Sequence, residues 1–249
     1  MALIETESLV LKSYNLAEAD KIVVLFTRDH GIVRGVGKGA KRLKSKFGSG
    51  LEPFSIVQAT YFQKEVVELV SIQKIEIITS NFSAASNPDF LQKFSFLSDL
   101  VIAFLPPHDP NETLYRMAKT CIETVVAKPD SIQSVGVYFE IWLLKLAGYL
   151  PDWSLCDQCG RAFDERESAI VKSNFHLLCQ SCQRGSRSRL ESDGRSLASK
   201  AMRLSPTDFA EWADQLPSSV DELSAILRQI ISHSIGKEIA GETSLSLKV

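Results

Sequence analysis

The sequence predicts an α+β protein in which a small β-barrel precedes a helical domain that carries a cysteine module. Apolar residues in roughly the first third of the chain form short runs separated by turn residues, the pattern of strands. After Asn87-Pro88 they recur with the 3.6-residue period of helices. Two Cys-x2-Cys pairs then interrupt the helical part. We therefore expect a barrel domain over residues 1–80 and a helical domain over 81–249.

Composition excludes several classes of protein. The 249 residues are 45% hydrophobic and 23% charged, which is typical of globular proteins and excludes a mostly disordered chain. The longest uncharged stretch, residues 77–88, is too short for a membrane span, which needs ~20 apolar residues. Glu5 and Glu7 occupy the place of the basic region of a signal peptide. We expect a cytoplasmic protein without a membrane partner.

Short runs rich in Val, Ile, Leu and Phe predict strands over residues 8–11, 22–27, 32–36, 54–62 and 66–78. Residues 28–31, which end in a glycine, form a hairpin turn between the second and third run. Short strands with one long glycine-containing connection, residues 35–50, predict a closed or nearly closed barrel. An SH3-like barrel is the nearest alternative to an oligonucleotide-binding barrel, and periodicity alone does not separate the two.

The helical part begins with a stripe of apolar residues over 90–104, which Pro106-Pro107 ends. A second helix is expected over residues 111–127. A third begins at Asp130-x-x-Gln133, a capping-box pattern, and ends at Gly148; it is apolar nearly all round and therefore central and buried. Two amphipathic helices are expected to start at Ser205 and Ser219.

The strongest motif is a pair of cysteine knuckles, Cys156-x2-Cys159 and Cys179-x2-Cys182, with nineteen residues between them. This spacing places four thiolates around a tetrahedral ion, most often Zn²⁺, and a redox dithiol is the alternative. Residues 169–171 and 175–178 predict a hairpin, giving a zinc ribbon over 154–185 with one structural zinc per chain. Four sulfurs complete the shell, so His176 is expected to point outward. Cys121 is expected to be a small buried residue.

The net charge of −2 hides a strong asymmetry, because six basic residues and no acidic one lie between positions 34 and 46. We predict that this basic loop binds nucleic acid, and the alternative is a solvated loop. Phe47, at its end, either stacks on a base or packs on the barrel. A second arginine-rich stretch, residues 184–203, is an auxiliary binding surface or a solvated face. The predicted DNA-binding residues are Arg34, Lys38, Lys41, Arg42, Lys44 and Lys46.

Nothing in the sequence indicates an enzyme. No phosphate-binding loop is formed by the glycines near Lys38, and no carboxylate set for two metal ions is visible. The histidines are scattered along the chain at His30, His108, His176 and His233. The alternative to a DNA-binding protein is a zinc-ribbon scaffold whose basic loop binds an acidic protein partner.

Three stretches resemble a known family. The first is residues 9–31, with Glu18-Ala19-Asp20 and Leu25-Phe26-Thr27. The most specific is Lys38-Gly39-Ala40-Lys41-Arg42-Leu43-Lys44-Ser45, which leads to Leu51-Glu52-Pro53-Phe54. The third is Gly148-Tyr149-Leu150-Pro151, which leads to Cys156-Asp157-Gln158-Cys159-Gly160. In this order they are similar to the RecO family of bacterial recombination mediators, over most of residues 1–185.

The resemblance implies an N-terminal OB-fold and a helical domain with an embedded zinc finger. It also implies binding to single- and double-stranded DNA, annealing of complementary strands, and help to the RecA recombinase, together with RecR, on strands coated with single-strand binding protein. That activity places the protein at the nucleoid. The family binds the acidic, apolar C-terminal tail of single-strand binding protein on its helical domain, and residues 111–127, with Arg116 and Lys119, offer one such surface.

Overall fold

The computed structural model describes residues 2–63, 69–183 and 188–236. They fall into two compact units, one on each side of the Pro129–Asp130 bond. The first unit holds the barrel and the helices that follow it directly, and the second holds the remaining helices and the cysteine module. The two long helices after the barrel group with it in the first unit. The predicted domain boundary at residue 80 stays a prediction.

The barrel is closed, and its strand order identifies the fold. Its strands are β1 (Ala2–Leu16), β2 (Asp20–Thr27), β3 (Gly31–Gly37), β4 (Ile56–Gln63) and β5 (Leu69–Thr79). They are joined in the order β1-β2-β3-β5-β4, and β1 also pairs with β4. All pairs are antiparallel except β3 with β5. This parallel pair excludes the antiparallel meander of an SH3-like barrel and confirms the predicted OB-fold.

The barrel interior is filled by alternate residues of its strands, because successive side chains of a strand point to opposite faces. Val10, Leu25, Val33 and Tyr61 are each fully buried in one cluster. The predicted strands are therefore confirmed, although β1 is longer at both ends than its apolar run. Part of the predicted fifth strand, residues 66–68, lies outside the described residues.

Three helices complete the first unit: α1 (Phe82–Ala85), α2 (Pro88–Phe104) and α3 (Glu112–Ala127). The side chain of Asn87 accepts from the backbone of Asp89 and Phe90, and Asn111 caps α3 in the same way. Both long helices are confirmed within two residues of their predicted starts. Cys121 is fully buried in α3, as predicted, and burial raises the pKa of its thiol.

The second unit is built around α4 (Ile132–Leu146), whose residues Ser134–Ile141 are all buried. Around it lie α5 (Ser192–Ala201), α6 (Pro206–Ala213) and α7 (Pro217–Ile235). The Trp142 indole donates to the carbonyl of Ala201 at 2.8 Å, which fixes α4 against the end of α5. The prediction of a central, buried third helix is confirmed.

Some helix starts differ from prediction. The prediction of a capping box at Asp130 is wrong, because a 3₁₀ turn covers Pro129–Ser131 and α4 begins only after it. The last helix begins at Pro217 rather than Ser219, with a proline in its first turn. The start of α6 at Ser205 is confirmed, since its hydroxyl accepts from the backbone of Asp208. Among the described residues, no helix is both long and apolar enough to cross a membrane.

One barrel turn is restricted to glycine for two separate reasons. Gly31 has φ +65°, and a Cβ there would lie 2.3 Å from the carbonyl oxygen of Asp109. Gly48 has φ +52°, but a Cβ there would meet nothing within 4 Å. Gly31→Ala is expected to lower the free energy of unfolding by about 3 kcal/mol or more, whereas Gly48→Ala costs only about 1–2 kcal/mol from the left-handed backbone. Urea denaturation followed by circular dichroism measures both, and equal losses would contradict the steric argument.

Candidate metal centre and nucleic-acid interface

The four knuckle cysteines form one cluster. The Sγ atoms of Cys156, Cys159, Cys179 and Cys182 all lie within 4.8 Å of one another. The Sγ atoms of Cys159 and Cys179 are 3.9 Å apart, too far for a disulfide bond, and all four are free thiols. Four sulfurs at these separations surround a point that a metal ion can occupy with tetrahedral geometry.

The local backbone explains why the sulfurs converge. Gly160 has φ +71° and donates its N–H to the carbonyl of Cys156, which closes the first knuckle. Strands β6 (Ala169–Val171) and β7 (Leu177–Leu178) pair as an antiparallel hairpin that carries the second knuckle to the first. The predicted ribbon hairpin is confirmed. A third strand, β8 (Arg189–Leu190), pairs with the other edge of β6.

The site favours a thiolate at Cys156 over one at Cys182. Burial opposes ionisation of Cys156, but the backbone N–H of Cys179 and those of its own knuckle lower its pKa to about 6. The pKa of Cys182 is raised to about 12, and the largest cause is the hydrogen bond between its thiol and Cys179. Adjacent thiolates repel one another, and a dication between them removes that repulsion. The donor set therefore fits a soft or borderline divalent ion.

Neighbouring groups fix the module from outside the sulfur cluster. Asp157 lies between Lys172, at 2.6 Å, and His176, whose Nδ1 is 3.1 Å away. His176 is therefore oriented by a carboxylate and is not a member of the sulfur cluster, as its predicted outward position requires. The Trp153 indole donates to the carbonyl of Phe175 at 2.8 Å and ties the hairpin turn to the segment before the first knuckle.

The predicted DNA-binding residues lie on one barrel strand and the connection after it. Arg34 is exposed on β3, opposite Val24 of β2 and Leu69 of β5. The other five are exposed on the β3–β4 connection, residues 38–55, which is a series of tight turns. In the described part of the chain, none of the six forms an ion pair with a carboxylate. Their assignment to DNA stays a prediction.

The β3–β4 connection is held against the barrel at both ends. Gly39 donates its N–H to the side chain of Asp20 at 2.7 Å, and the N–H of Lys41 reaches the carbonyl of Ala19 at 2.9 Å. Phe47 and Leu51 are each 2% exposed and belong to the barrel core. Of the two possibilities for Phe47, the structure shows packing on the barrel. No sequence motif singles out Leu43, which lies at the tip and is fully exposed; its signal is an apolar residue inside a run of cations.

The second arginine-rich stretch is not a uniform basic surface. Arg184 and Arg187 lie outside the described residues. Arg195 is half-buried and donates to the carbonyls of Asp164 and Glu167, so this guanidinium holds the cysteine module to α5. Arg195 also lines a groove of about 860 Å³ within the second unit, together with Lys200, Met202 and Arg203 of the same stretch and with Lys145, Trp153 and Phe163 from earlier in that unit.

Comparisons with known proteins agree with this architecture. Residues 1–81 match the family model "Recombination protein O N terminal", and residues 94–241 match "Recombination protein O C terminal". The chain belongs to the RecO family.

Curated RecO proteins resemble the chain over much of its length. The DNA repair protein RecO of Koribacter versatilis is 29% identical over 97% of both chains. The DNA repair protein RecO of Caldanaerobacter subterraneus is 31% identical over 73% of this chain and 72% of its own. That of Geobacter metallireducens is 30% identical over 72% of each. These similarities confirm the predicted family and support a role of this RecO chain in DNA repair.

The cysteine cluster could hold a metal ion, and it predicts which substitution would release that ion. Cys179→Ser removes a fully buried thiolate, so the bound ion is lost and the second unit is destabilised, because structural sites of this kind bind with ~10–16 kcal/mol. Metal per chain is measured by atomic emission after gel filtration. Unfolding of the second unit is followed by tryptophan fluorescence, since all three tryptophans lie there. Cys121→Ala is the control and keeps its metal; metal loss in both variants alike would contradict the assignment.

Proposed function

We propose that the protein is a non-enzymatic recombination mediator in DNA repair. It binds single- and double-stranded DNA, anneals complementary strands, and acts with RecR to load RecA onto strands coated with single-strand binding protein. Its place of action is the nucleoid. The observation that carries the proposal is the exposed, single-signed basic loop on an OB-fold barrel, and the family membership supports it.

The loop suits phosphate binding because its charges are available. Lys38, Lys41, Arg42, Lys44 and Lys46 are all exposed, and no acidic residue lies among them. Cations that contact phosphates position a strand without reading its bases, so binding is expected to depend little on sequence. They also reduce the repulsion between two strands, which is the electrostatic requirement of annealing.

We assign zinc to the cysteine cluster, in a structural role. The four sulfurs are the donor set of closed zinc sites, which leave no position for a water to be activated. When bound, the ion joins the two knuckles and keeps the ribbon in place. The residues that hold it are Cys156, Cys159, Cys179 and Cys182.

We assign the tail of single-strand binding protein to the groove of the second unit. An acidic, apolar tail needs an apolar floor with cations beside it. Trp153 and Met202 supply apolar surface, and Lys145, Lys200 and Arg203 line the groove beside two carboxylates, Asp152 and Glu165. The surface first expected, on α3, fits less well because Lys119 already pairs with Glu7 at 2.7 Å.

The basic loop gives a quantitative prediction for DNA binding. If each of the six cations neutralises one phosphate, the logarithm of the affinity for single strands falls with the logarithm of salt at a slope near −4, about −0.7 per contact. Between 50 and 200 mM salt the loss is a few hundred-fold, about 4⁴. Reversing Lys41, Arg42 and Lys44 to Glu is expected to reduce the slope, the affinity and the annealing rate together. Fluorescence anisotropy over a salt series measures the first two.

The matched control reverses three exposed cations that do not belong to the loop, Lys74, Arg116 and Arg166, to Glu. It changes the net charge by the same amount, so it separates local contacts from a general electrostatic effect. Both variants are expected to keep their zinc and their unfolding midpoints. A loop variant that binds and anneals DNA like the wild type would reject the assignment and favour the scaffold with an acidic protein partner.

The groove gives a separate prediction. Reversing Lys200 and Arg203 to Glu is expected to weaken binding of the acidic tail peptide by at least tenfold, since two favourable charge contacts become repulsive. Isothermal titration calorimetry with the peptide at moderate salt measures the affinity. Arg116→Glu, on α3, is the control and is expected to have little effect. The opposite ranking would move the site back to α3.

A further inference from the structure

Leu43 is the most exposed large hydrophobic side chain in the described part of the chain. Its relative exposure is 103%, and the next values are 60%, for Leu3 and Phe82. A single exposed apolar residue is ordinary in a protein. The surroundings of Leu43 are unusual, because exposed cations lie directly on both sides of it, at Arg42 and Lys44.

The backbone that carries Leu43 is held in place. The N–H of Arg42 donates to the carbonyl of Gly39 at 3.1 Å, and the N–H of Ser45 donates to the carbonyl of Arg42 at 2.9 Å. On one side of this turn Ala40 packs against the barrel core, and on the other side Phe47 is part of that core. The leucine is therefore presented at the tip of an anchored turn.

We propose that Leu43 is an apolar wedge that inserts between adjacent bases of the DNA strand held by the loop cations. The proposal rests on the proposed DNA-binding function. Leucine is one of the side chains that proteins insert between base steps, where it partly unstacks them. Its neighbours Arg42 and Lys44 bind the flanking phosphates, and the side chain between them meets the bases. A leucine has no hydrogen-bonding group, so the contact is independent of sequence.

The wedge gives the loop a second task beside charge neutralisation. A single strand stacks on itself, and an apolar side chain that enters between two neighbouring bases separates them. Insertion of Leu43 keeps two neighbouring bases of the bound strand apart. We therefore expect the cations to determine the salt dependence of binding, and Leu43 to determine base unstacking.

The test uses the full-length protein and single strands that contain 2-aminopurine, whose fluorescence rises when it unstacks. Wild type is expected to raise the fluorescence on binding. Leu43→Ser is expected to abolish most of the rise and to weaken binding by about 3- to 10-fold, the effect of one apolar contact, with an unchanged salt slope. Leu43→Phe is expected to restore the rise. Leu3→Ser, which removes another exposed leucine, is the control and is expected to behave like wild type.

The outcomes separate the wedge from the proposed function. If wild type binds DNA with the expected salt slope and Leu43→Ser gives an equal fluorescence rise, the wedge is rejected and the basic loop stands. Binding by wild type without any rise rejects the wedge in the same way. If wild type does not bind DNA, both the proposed function and the wedge are rejected. The Leu43 side chain is fully exposed, so unchanged unfolding midpoints are expected for both of its variants.

Discussion

The parallel pairing of β3 with β5 is the constraint on which the arrangement of the barrel unit depends. Because β5 lies between β3 and β4, the chain cannot return from β3 through a tight hairpin and makes a long connection instead. A long connection needs anchors to stay ordered, and Phe47 and Leu51 supply them by entering the core. The residues before these anchors then project into solvent. The position of the basic loop thus follows from barrel closure.

The sequence predicts helices and strands correctly where the periodicity of apolar residues is strong. It does not predict features that depend on contacts between distant parts of the chain. Helix α5 was not predicted, because Gly194 lowers its helix propensity by about 1 kcal/mol relative to alanine. A Cβ at Gly194 would lie 2.5 Å from a methyl carbon of Leu190, so a larger residue would force the Leu190 side chain to move. Phe47 is a similar case, because a phenylalanine beside a run of lysines is compatible both with stacking on a base and with burial in the core. Only the structure of the loop, which places Phe47 in the barrel core, decides between the two.

Charge counts in a sequence do not distinguish available cations from structural ones. Arg195 was counted with the second basic stretch, yet it donates to backbone carbonyls of the cysteine module and stacks 4.5 Å from the centre of the Phe163 ring. Burial lowers the pKa of this guanidinium, and its hydrogen bonds compensate the lost water. Lys200 lies over Trp212 at a similar distance. In the described part of the chain the loop cations form no ion pair with a carboxylate, and all six stay exposed although Lys41 donates to the carbonyl of Ala17 at 3.4 Å and Lys46 lies 5.0 Å from the centre of the Phe47 ring. This exposure is why the candidate DNA surface is the shorter of the two basic stretches.

The acidic remainder of the chain does not oppose the loop at physiological salt. The chain outside residues 34–46 carries −8, enough to give a net charge of −2. Charges in water are screened over about 8 Å at this ionic strength, so distant carboxylates contribute little to the potential at the loop. They do repel phosphate from the rest of the surface. On the proposed function, an acidic body with one basic loop confines DNA to a single place on the barrel, and a bound strand then leaves readily as salt or a competing protein displaces its few contacts.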